Sequence, residues 1–506
     1  MPDEPDPLIR ASLATQPKNQ AGVENAVSRE RQAAFRRALS SRTLLYDGSK
    51  GTLLALKGLE PGEFPDLCNL TRPGDVLSIH AAYIGAGADA IQTNTLQASR
   101  FHLEARGILG QLDGINRAGA RLAREAADEC EALAGRRRVF VAGSVGPTGR
   151  MLAPAGDLTF DSALAAFSEQ IRSLLDGGVD ALHFETFTDL AELRAAVLAA
   201  RYCCAAPVVA TLSFGRRGAT AMGDTAEAAA DALAGLGVDC LGANCGLEPE
   251  GMLAMFGRLA GHGAPLCAKP NAGCPEYGDG AAVYGASAQA FHDAAFGFAR
   301  LGARLIGGCC GSGPSHVAAM REAVDEINAG ASRAREIGGA QCESPDVPRT
   351  RQTAAERGQK GDAWPSADFR DLAGMGSDGA EAEIIDRLVD AGGGVPESHG
   401  GGVPEAHGAG VPESHGGGAR LAMHPRVLAM LPRGEGLARA VAELSRLYAK
   451  APLAFAVDCD GEREGLPTLL AALERYCGRA AVAVPAHWSP ASREALRFYG
   501  AAIIEG

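Results

Sequence analysis

The chain lacks a surplus of positive charge. Lys and Arg number 48 against 61 Asp and Glu, a formal charge of −13, so the electrostatic footprint of a nucleic-acid-binding protein is missing. It lacks any apolar run of the roughly 18 residues that a membrane span needs, and its first 35 residues are polar and charged, with no apolar core of a secretory leader. The expectation is a soluble cytoplasmic protein with no nucleic-acid and no membrane partner. Cysteine is sparse as well: thirteen in 506 residues is far below the density of secreted disulfide scaffolds, and an odd number cannot all pair. No C-x-x-C motif occurs, which removes the usual structural zinc knuckle and the usual dithiol redox helix. No G-x-G-x-x-G follows the first apolar run, which argues against a dinucleotide-binding open sheet.

A recurrent pattern fills the region from 43 to 311. Short β-rich apolar runs end in Gly, Asn, Thr, Cys or Pro, and each is followed by an Ala- and Leu-rich amphipathic stretch. The runs are TLLYDGS at 43–49, ADAIQTNT at 88–95, RVFVAGSVGP at 138–147, VDALHFETF at 179–187, APVVATLSFG at 206–215, VDCLGANCG at 238–246, PLCAKPNAG at 265–273 and ARLIGGCCG at 303–311. Eight strand–helix alternations over about 270 residues suit a (β/α)8 TIM barrel. A doubly wound sheet is the alternative, because strand order cannot be read from one sequence.

The pattern predicts four regions: an N-terminal extension at 1–38, disordered or helical; the barrel at 39–328; a Gly-rich linker at 329–418; and a partial α/β segment at 419–506. The linker holds a period-eight repeat, GGVPESHG, GGVPEAHG and AGVPESHG, which spaces His399, His407 and His415 eight apart. Its composition reads as a solvated linker whose histidines travel with the duplicated unit, with a metal site as the competing reading. The last region shows a helical stretch, the strand PLAFAVDCDG, a strand AAVAVPAHW and a final YGAAIIEG, two or three βα units in all.

In a (β/α)8 barrel the C-terminal strand ends share one mouth. Cys245 ends the sixth run, and the adjacent pair Cys309 and Cys310 ends the eighth. Three thiols converging there suit zinc, leaving its fourth position open for substrate. Spacing alone leaves buried, inert thiols equally open. Cys203 and Cys204 stand before the fifth run rather than after it, away from the mouth.

Taken together and in order, DGSKGT (47–52), GADAIQTNT (87–95), SVGPTGRML (144–152), ETFTDL (185–190), GANCG (242–246), KPNAG (269–273) and GGCCGSGPSH (307–316) resemble the homocysteine S-methyltransferase family. The sequence is most similar to the homocysteine-binding module of the cobalamin-dependent methionine synthases. The resemblance implies Zn2+ on Cys245, Cys309 and Cys310, with Asn271 as a candidate fourth ligand until substrate enters. It implies that Glu185 and Asp47 orient the amino group of homocysteine and that the backbone around Gly48 takes its carboxylate. Thr93, Asn94 and Thr95 are expected to line the mouth and hold the loop after the first strand, and His316 to cap the turn before its helix.

The final segment resembles part of a pterin-binding barrel, with Asp458 at a strand end, but carries no GERTN-like opening. No D-x-H-x-x-G cobalamin motif occurs. The expected function is therefore zinc-dependent methyl transfer to homocysteine, giving methionine, with methylcobalamin supplied by a corrinoid protein acting in trans. S-methylmethionine or a betaine-type compound is the alternative donor, and a non-catalytic adapter for a corrinoid protein is the alternative class.

Overall fold

The computed structural model describes residues 26–338, except 133–137, 154, 274–275 and 279–280, and beyond them the segments 427–431, 453–457, 465–466, 469–470, 472–473, 480–484, 488–498 and 501–505. The His-containing repeat, Asp458 and the first 25 residues lie outside the described residues. The chain divides into two compact units, Met1–Arg351 and Gln352–Gly506.

In the first unit all eight predicted runs form parallel strands: β1 (Leu44–Leu45), β2 (Ala90–Gln92), β3 (Phe140–Val145), β4 (Ala181–Phe187), β5 (Val208–Leu212), β6 (Cys240–Asn244), β7 (Leu266–Lys269) and, after a short antiparallel hairpin β8 (Glu276–Gly278) and β9 (Ala281–Val283), β10 (Ala303–Ile306). Their order is β1-β10-β7-β6-β5-β4-β3-β2. The two ends of that order meet through a parallel bridge between Tyr46 and Ala90, where Asp89 N donates to Leu45 O at 2.7 Å and Asp47 N to Ala90 O at 3.1 Å. Helices alternate with the strands, and the architecture is a (β/α)8 barrel.

A local device recurs on alternate strands. The triplets Gly87-Ala88-Asp89, Gly178-Val179-Asp180 and Gly237-Val238-Asp239 precede β2, β4 and β6. Each glycine has a positive φ (109°, 95° and 69°), the left-handed turn that ends a helix and that glycine adopts without steric cost. Each aspartate then accepts a backbone N–H from the start of the preceding strand: Asp89 from Leu45 at 2.9 Å, Asp180 from Val141 at 2.8 Å, and Asp239 from Val208 at 2.9 Å. An arginine pairs with each carboxylate: Arg321 with Asp89, Arg124 with Asp180 and Arg36 with Asp239. The strands are thus clasped in pairs at the barrel's N-terminal end.

The helix Ala26–Ser41 runs across the boundary drawn at residue 38 and closes the barrel floor. Phe35 and Leu39 are buried in one cluster with Leu44, Ala90, Phe140, Ala181, Val209, Cys240, Cys267 and Leu305, residues contributed by all eight barrel strands. Phe35 meets Phe140 edge-on at 5.3 Å, and burying these two side chains contributes about 1.5–3 kcal/mol each. The helix at the other end of the unit, Pro314–Gly338, continues ten residues past the boundary drawn at 328.

Close backbone packing fixes one glycine in particular. A Cβ on Gly242 in β6 would lie 1.9 Å from the carbonyl oxygen of Cys267 in β7, and backbone on a neighbouring strand cannot yield. Gly242→Ala is expected to destabilise the barrel by at least the 1–3 kcal/mol typical of overpacking, read as a lowered midpoint of thermal unfolding. An unchanged midpoint would refute this account of the β6–β7 contact.

The second unit contains a four-stranded parallel sheet in sequential order: β11 (Val427–Leu431), β12 (Leu453–Val457), β13 (Ala480–Val484) and β14 (Ala502–Glu505). The first of these was not expected from the sequence, where the short run VLAML stands between Pro- and Gly-containing segments. Among the described residues no helix is long and apolar enough to cross a membrane.

Candidate active site

The three cysteines singled out by spacing meet at the C-terminal mouth. The Sγ atoms of Cys245, Cys309 and Cys310 all lie within 4.8 Å of one another, and Cys245 and Cys310 are 3.8 Å apart. Backbone geometry brings them together. Cys245 is one of two non-glycine residues with positive φ among the described residues (62°), and Gly246 follows at 73°, so the chain leaves β6 in a sharp left-handed turn. Such a conformation costs of order 1–3 kcal/mol and persists only where the surroundings enforce it. On the other side, Cys309 N donates to Pro270 O at 2.8 Å and Ala272 N to Cys310 O at 2.8 Å, which tie the cysteine loop to the KPNAG segment after β7. The glycines beside the pair have separate reasons. Gly308 packs where a Cβ would meet Ser312 Oγ at 2.1 Å, and Gly311 has φ 78°.

The cluster fits a zinc ion. Sulfurs about 2.3 Å from a tetrahedral centre are separated by about 3.8 Å, the spacing between Cys245 and Cys310. Asn271 stands at the same cluster, near enough to Cys245 to help lower its pKa, and its buried Oδ1 has no partner. An orphaned acceptor beside three thiols is an oxygen donor awaiting a cation or a hydrogen-bond donor. Among the thiols, Cys245 is held far below the ordinary range because Cys309 and then Cys310 hydrogen-bond to it. Cys309 and Cys310 are pushed up, first by that same contact with Cys245.

Beneath the cysteines the barrel interior is polar and charged. Asp47 is fully buried. Its Oδ2 lies 3.1 Å from Lys50 Nζ and accepts Gln92 N at 2.8 Å, and its Oδ1 lies 3.3 Å from Lys269 Nζ. Burial is the largest single influence on Asp47 and pushes its carboxyl up; Lys50, Lys269 and the Gln92 N–H together outweigh it and hold it below the ordinary carboxylate range. Lys269, only 1% exposed, sits 4.4 Å above the Tyr46 ring and donates to Gln92 Oε1. Burial lowers its pKa, but Asp47, Glu185 and Cys309 raise it more, so it is a buried ammonium. Glu185 takes two donors on Oε1, Gln92 Nε2 at 2.7 Å and Ser144 Oγ.

The remaining residues expected at the mouth serve it less directly. Gly48 packs where a Cβ would lie 2.8 Å from Ser312 O and 2.9 Å from Tyr83 OH; Ser49 N donates to Ser312 O and Gly308 N to Asp47 O, both at 3.0 Å. The loop after β1 is therefore stitched to the cysteine loop. Asn94 holds the segment between β1 and β2, donating to Pro65 O at 2.7 Å. Thr93 and Thr95 hydrogen-bond each other at 2.6 Å and face β3, where Thr93 Oγ1 accepts Ser144 N and Thr95 Oγ1 donates to Ser144 O. His316 accepts Gly313 N on Nδ1 at 3.1 Å and so fastens the turn before its own helix. Cys203 and Cys204 lie apart, near Ser168 O and Ala200 O respectively.

Lys50, Gln92, Ser144, His183, Thr211, Asn244 and Lys269 were not singled out from the sequence. One signal was present: each of the last six interrupts a short apolar run that, in a parallel sheet covered on both faces, has no solvated side on which to put a polar group.

Residues 44–324 match the family described as homocysteine S-methyltransferase. The chain belongs to that family. Relatives include the methionine synthase of Mycobacterium tuberculosis, 34% identical over 302 residues that make up 57% of this chain and 25% of that protein, and the methionine synthase of Mycobacterium leprae, 33% identical over 305 residues (58% and 25%). The chain thus spans about a quarter of the length of the curated relatives it matches. Among solved structures, the metallated form of the homocysteine methyltransferase MmuM from Escherichia coli is similar at 26% identity and a TM-score of 0.49, covering 57% of this chain and 99% of that one.

Proposed function

We propose that this barrel transfers a methyl group to the thiol of homocysteine, giving methionine, with zinc held by Cys245, Cys309 and Cys310. The observation that carries the reading is the convergence of three thiols at the barrel mouth of a member of this family. Bound there, Zn2+ would acidify an incoming thiol, whose free pKa is about 8.5, so that it stands as a thiolate at neutral pH. The thiolate then attacks the methyl carbon in line: a sulfur–carbon bond forms, the bond to the donor breaks, and its electron pair leaves with the donor.

The chain's own residues supply position and charge. Glu185, with both donors on Oε1, offers Oε2 to the substrate ammonium. Asp47, buried between two lysines, fixes the loop whose backbone N–H groups near Gly48 would take the substrate carboxylate. Asn271, with its unpartnered Oδ1, would offer an oxygen donor to the zinc in place of the substrate thiol. Thr93 and Asn94 act on substrate through the loops they brace.

The likeness to methionine synthases favours methylcobalamin, carried by a corrinoid protein acting in trans, as the methyl source. The four regions are proposed as an extension, a barrel that takes in the helices Ala26–Ser41 and Pro314–Gly338, a linker and a partial pterin-barrel-like segment at 419–506, and the cytoplasm as the place of action. The test is to incubate the zinc-loaded protein with homocysteine and, in parallel, methylcobalamin, methyltetrahydrofolate, S-methylmethionine or betaine, and to measure methionine. Methionine is expected with methylcobalamin. Methionine from S-methylmethionine or betaine alone would overturn the donor assignment, and none from any donor would favour a zinc-binding adapter.

A further inference from the structure

A continuous run of hydrogen bonds crosses the barrel from the buried ammonium to the cysteine cluster, with one branch at Gln92 Nε2, which also donates to Glu185 Oε1 at 2.7 Å. Lys269 Nζ donates to Gln92 Oε1. Gln92 Nε2 meets His183 Nδ1 at 2.9 Å, His183 Nε2 meets Thr211 Oγ1 at 3.0 Å, Thr211 Oγ1 donates to Asn244 Oδ1 at 2.7 Å, and Asn244 Nδ2 lies 3.7 Å from Cys309 Sγ. The residues come from β7, β2, β4, β5 and β6 and end on the loop after β10.

The direction of every bond is fixed by groups that can only donate. An ammonium faces Gln92 Oε1, so the amide cannot be flipped, and its NH2 must point at His183 Nδ1. That nitrogen accepts, so the proton of the neutral imidazole sits on Nε2 and is given to Thr211. Burial keeps His183 neutral, with its pKa driven down to about 3, and its ring stacks on Tyr46 at 5.5 Å. The Asn244 amide is fixed in the same way. Its Oδ1 accepts the Thr186 backbone N–H at 2.7 Å, and its Nδ2 therefore faces Thr186 Oγ1 at 2.8 Å and the sulfur of Cys309. Thr186 is the other non-glycine residue with positive φ (65°), a strained conformation for a β-branched residue that both arms of the Asn244 amide hold in place.

We propose that Lys269, Gln92, His183, Thr211 and Asn244 form a positioning relay that holds a hydrogen-bond donor on Cys309 Sγ and couples the charged pair at Asp47 to the metal end of the site. The proposal rests on the zinc reading of the three cysteines. Hydrogen bonds in series with one polarity polarise one another, and partners behind a metal ligand set its orientation and donor strength. The relay places a buried positive charge at the far end of a chain whose last donor tempers a thiolate. Lys269 is a positioning residue rather than a catalytic one, since its contacts are Asp47, Gln92 and the Tyr46 ring.

The test uses Co(II) as the probe, in the full chain. Thr211→Val removes only the hydroxyl at the middle of the relay, and Thr211→Ser keeps it. Thr211→Val is expected to weaken Co(II) binding about tenfold, the lower end for loss of an outer partner, and to move the sulfur-to-cobalt charge-transfer band, while Thr211→Ser binds as the native chain does. Lys269→Met breaks the opposite end and is expected to move the band in the same direction; the double variant should be no weaker than the weaker single one, since a broken chain cannot be broken twice. Thermal midpoints of the metal-free variants separate this from loss of fold, and should Thr211→Val unfold, the band of Lys269→Met decides. An unmoved band in Thr211→Val, or additive losses in the double variant, would overturn the relay while native binding stays intact. A native chain that takes up no Co(II) would overturn the zinc reading, and the relay with it.

Discussion

Cys309→Ser is expected to lose zinc and methionine formation together while the barrel remains folded. The loss in metal affinity should exceed the roughly 100-fold that marks the upper end for an outer-sphere partner, because one of three sulfur ligands is replaced by a weaker oxygen. The fold should survive for a local reason. Cys309 lies past the end of β10, outside the main core cluster, and its loop is held by backbone bonds, Cys309 N to Pro270 O at 2.8 Å and Ser312 N to Cys309 O at 3.1 Å, that a serine keeps. Metal content by elemental analysis, methionine yield and the thermal midpoint would be measured on one preparation. A variant that binds no zinc yet makes methionine at the native rate would remove the mechanism proposed for this site.

The largest effect on stability is expected at the other end of the interior. Asp47→Ala leaves Lys269 buried with Gln92 and the Tyr46 ring but without the carboxylate it pairs with, and removing one partner of a buried pair typically costs about 3–5 kcal/mol. Denaturant midpoints of the native chain and the variant give the difference directly. The pH dependence has a definite sign. The folded carboxyl titrates below its ordinary value of 3.8, so its contribution is fully present above that value and is lost as pH falls through the folded pKa. The gap between the native chain and Asp47→Asn should therefore be constant from neutral pH to about pH 5 and close only below the unfolded pKa near 3.9. A gap that closes already near pH 6 would mean that some other group carries it.

Much of the barrel was legible because its strands are short, mainly apolar runs that end in residues that cannot continue them. ARLIGGCCG announces both its strand and its turn. The cysteine cluster was legible for a related reason: residues at the C-terminal ends of barrel strands converge whatever their separation in sequence, so Cys245 and the Cys309–Cys310 pair needed only the fold to bring them together. The interior relay was not legible. Lys269, His183 and Thr211 each look like single interruptions of an apolar run, and which of them face one another depends on strand register and stagger. The extension was read as disordered or helical, and its packing under the barrel was not legible because Phe35 and Leu39 stand in a mainly polar segment, AVSRERQAAFRRALSS, and gain meaning only when a barrel floor needs filling.

The three Gly-x-Asp clasps also bear on the order in which the barrel can assemble. They join groups 44, 39 and 31 residues apart, whereas β1 meets β10 across most of the barrel's length, Leu44 against Leu305. Closing a short loop forfeits less chain entropy than closing a long one, and local contacts form sooner. Clasped strand pairs are therefore the natural early units, and the seam between β1 and β10 is the natural last step. Asp47 and Cys309 flank that seam on opposite sides, so the three cysteines and the charged interior beneath them come into register only as that seam closes.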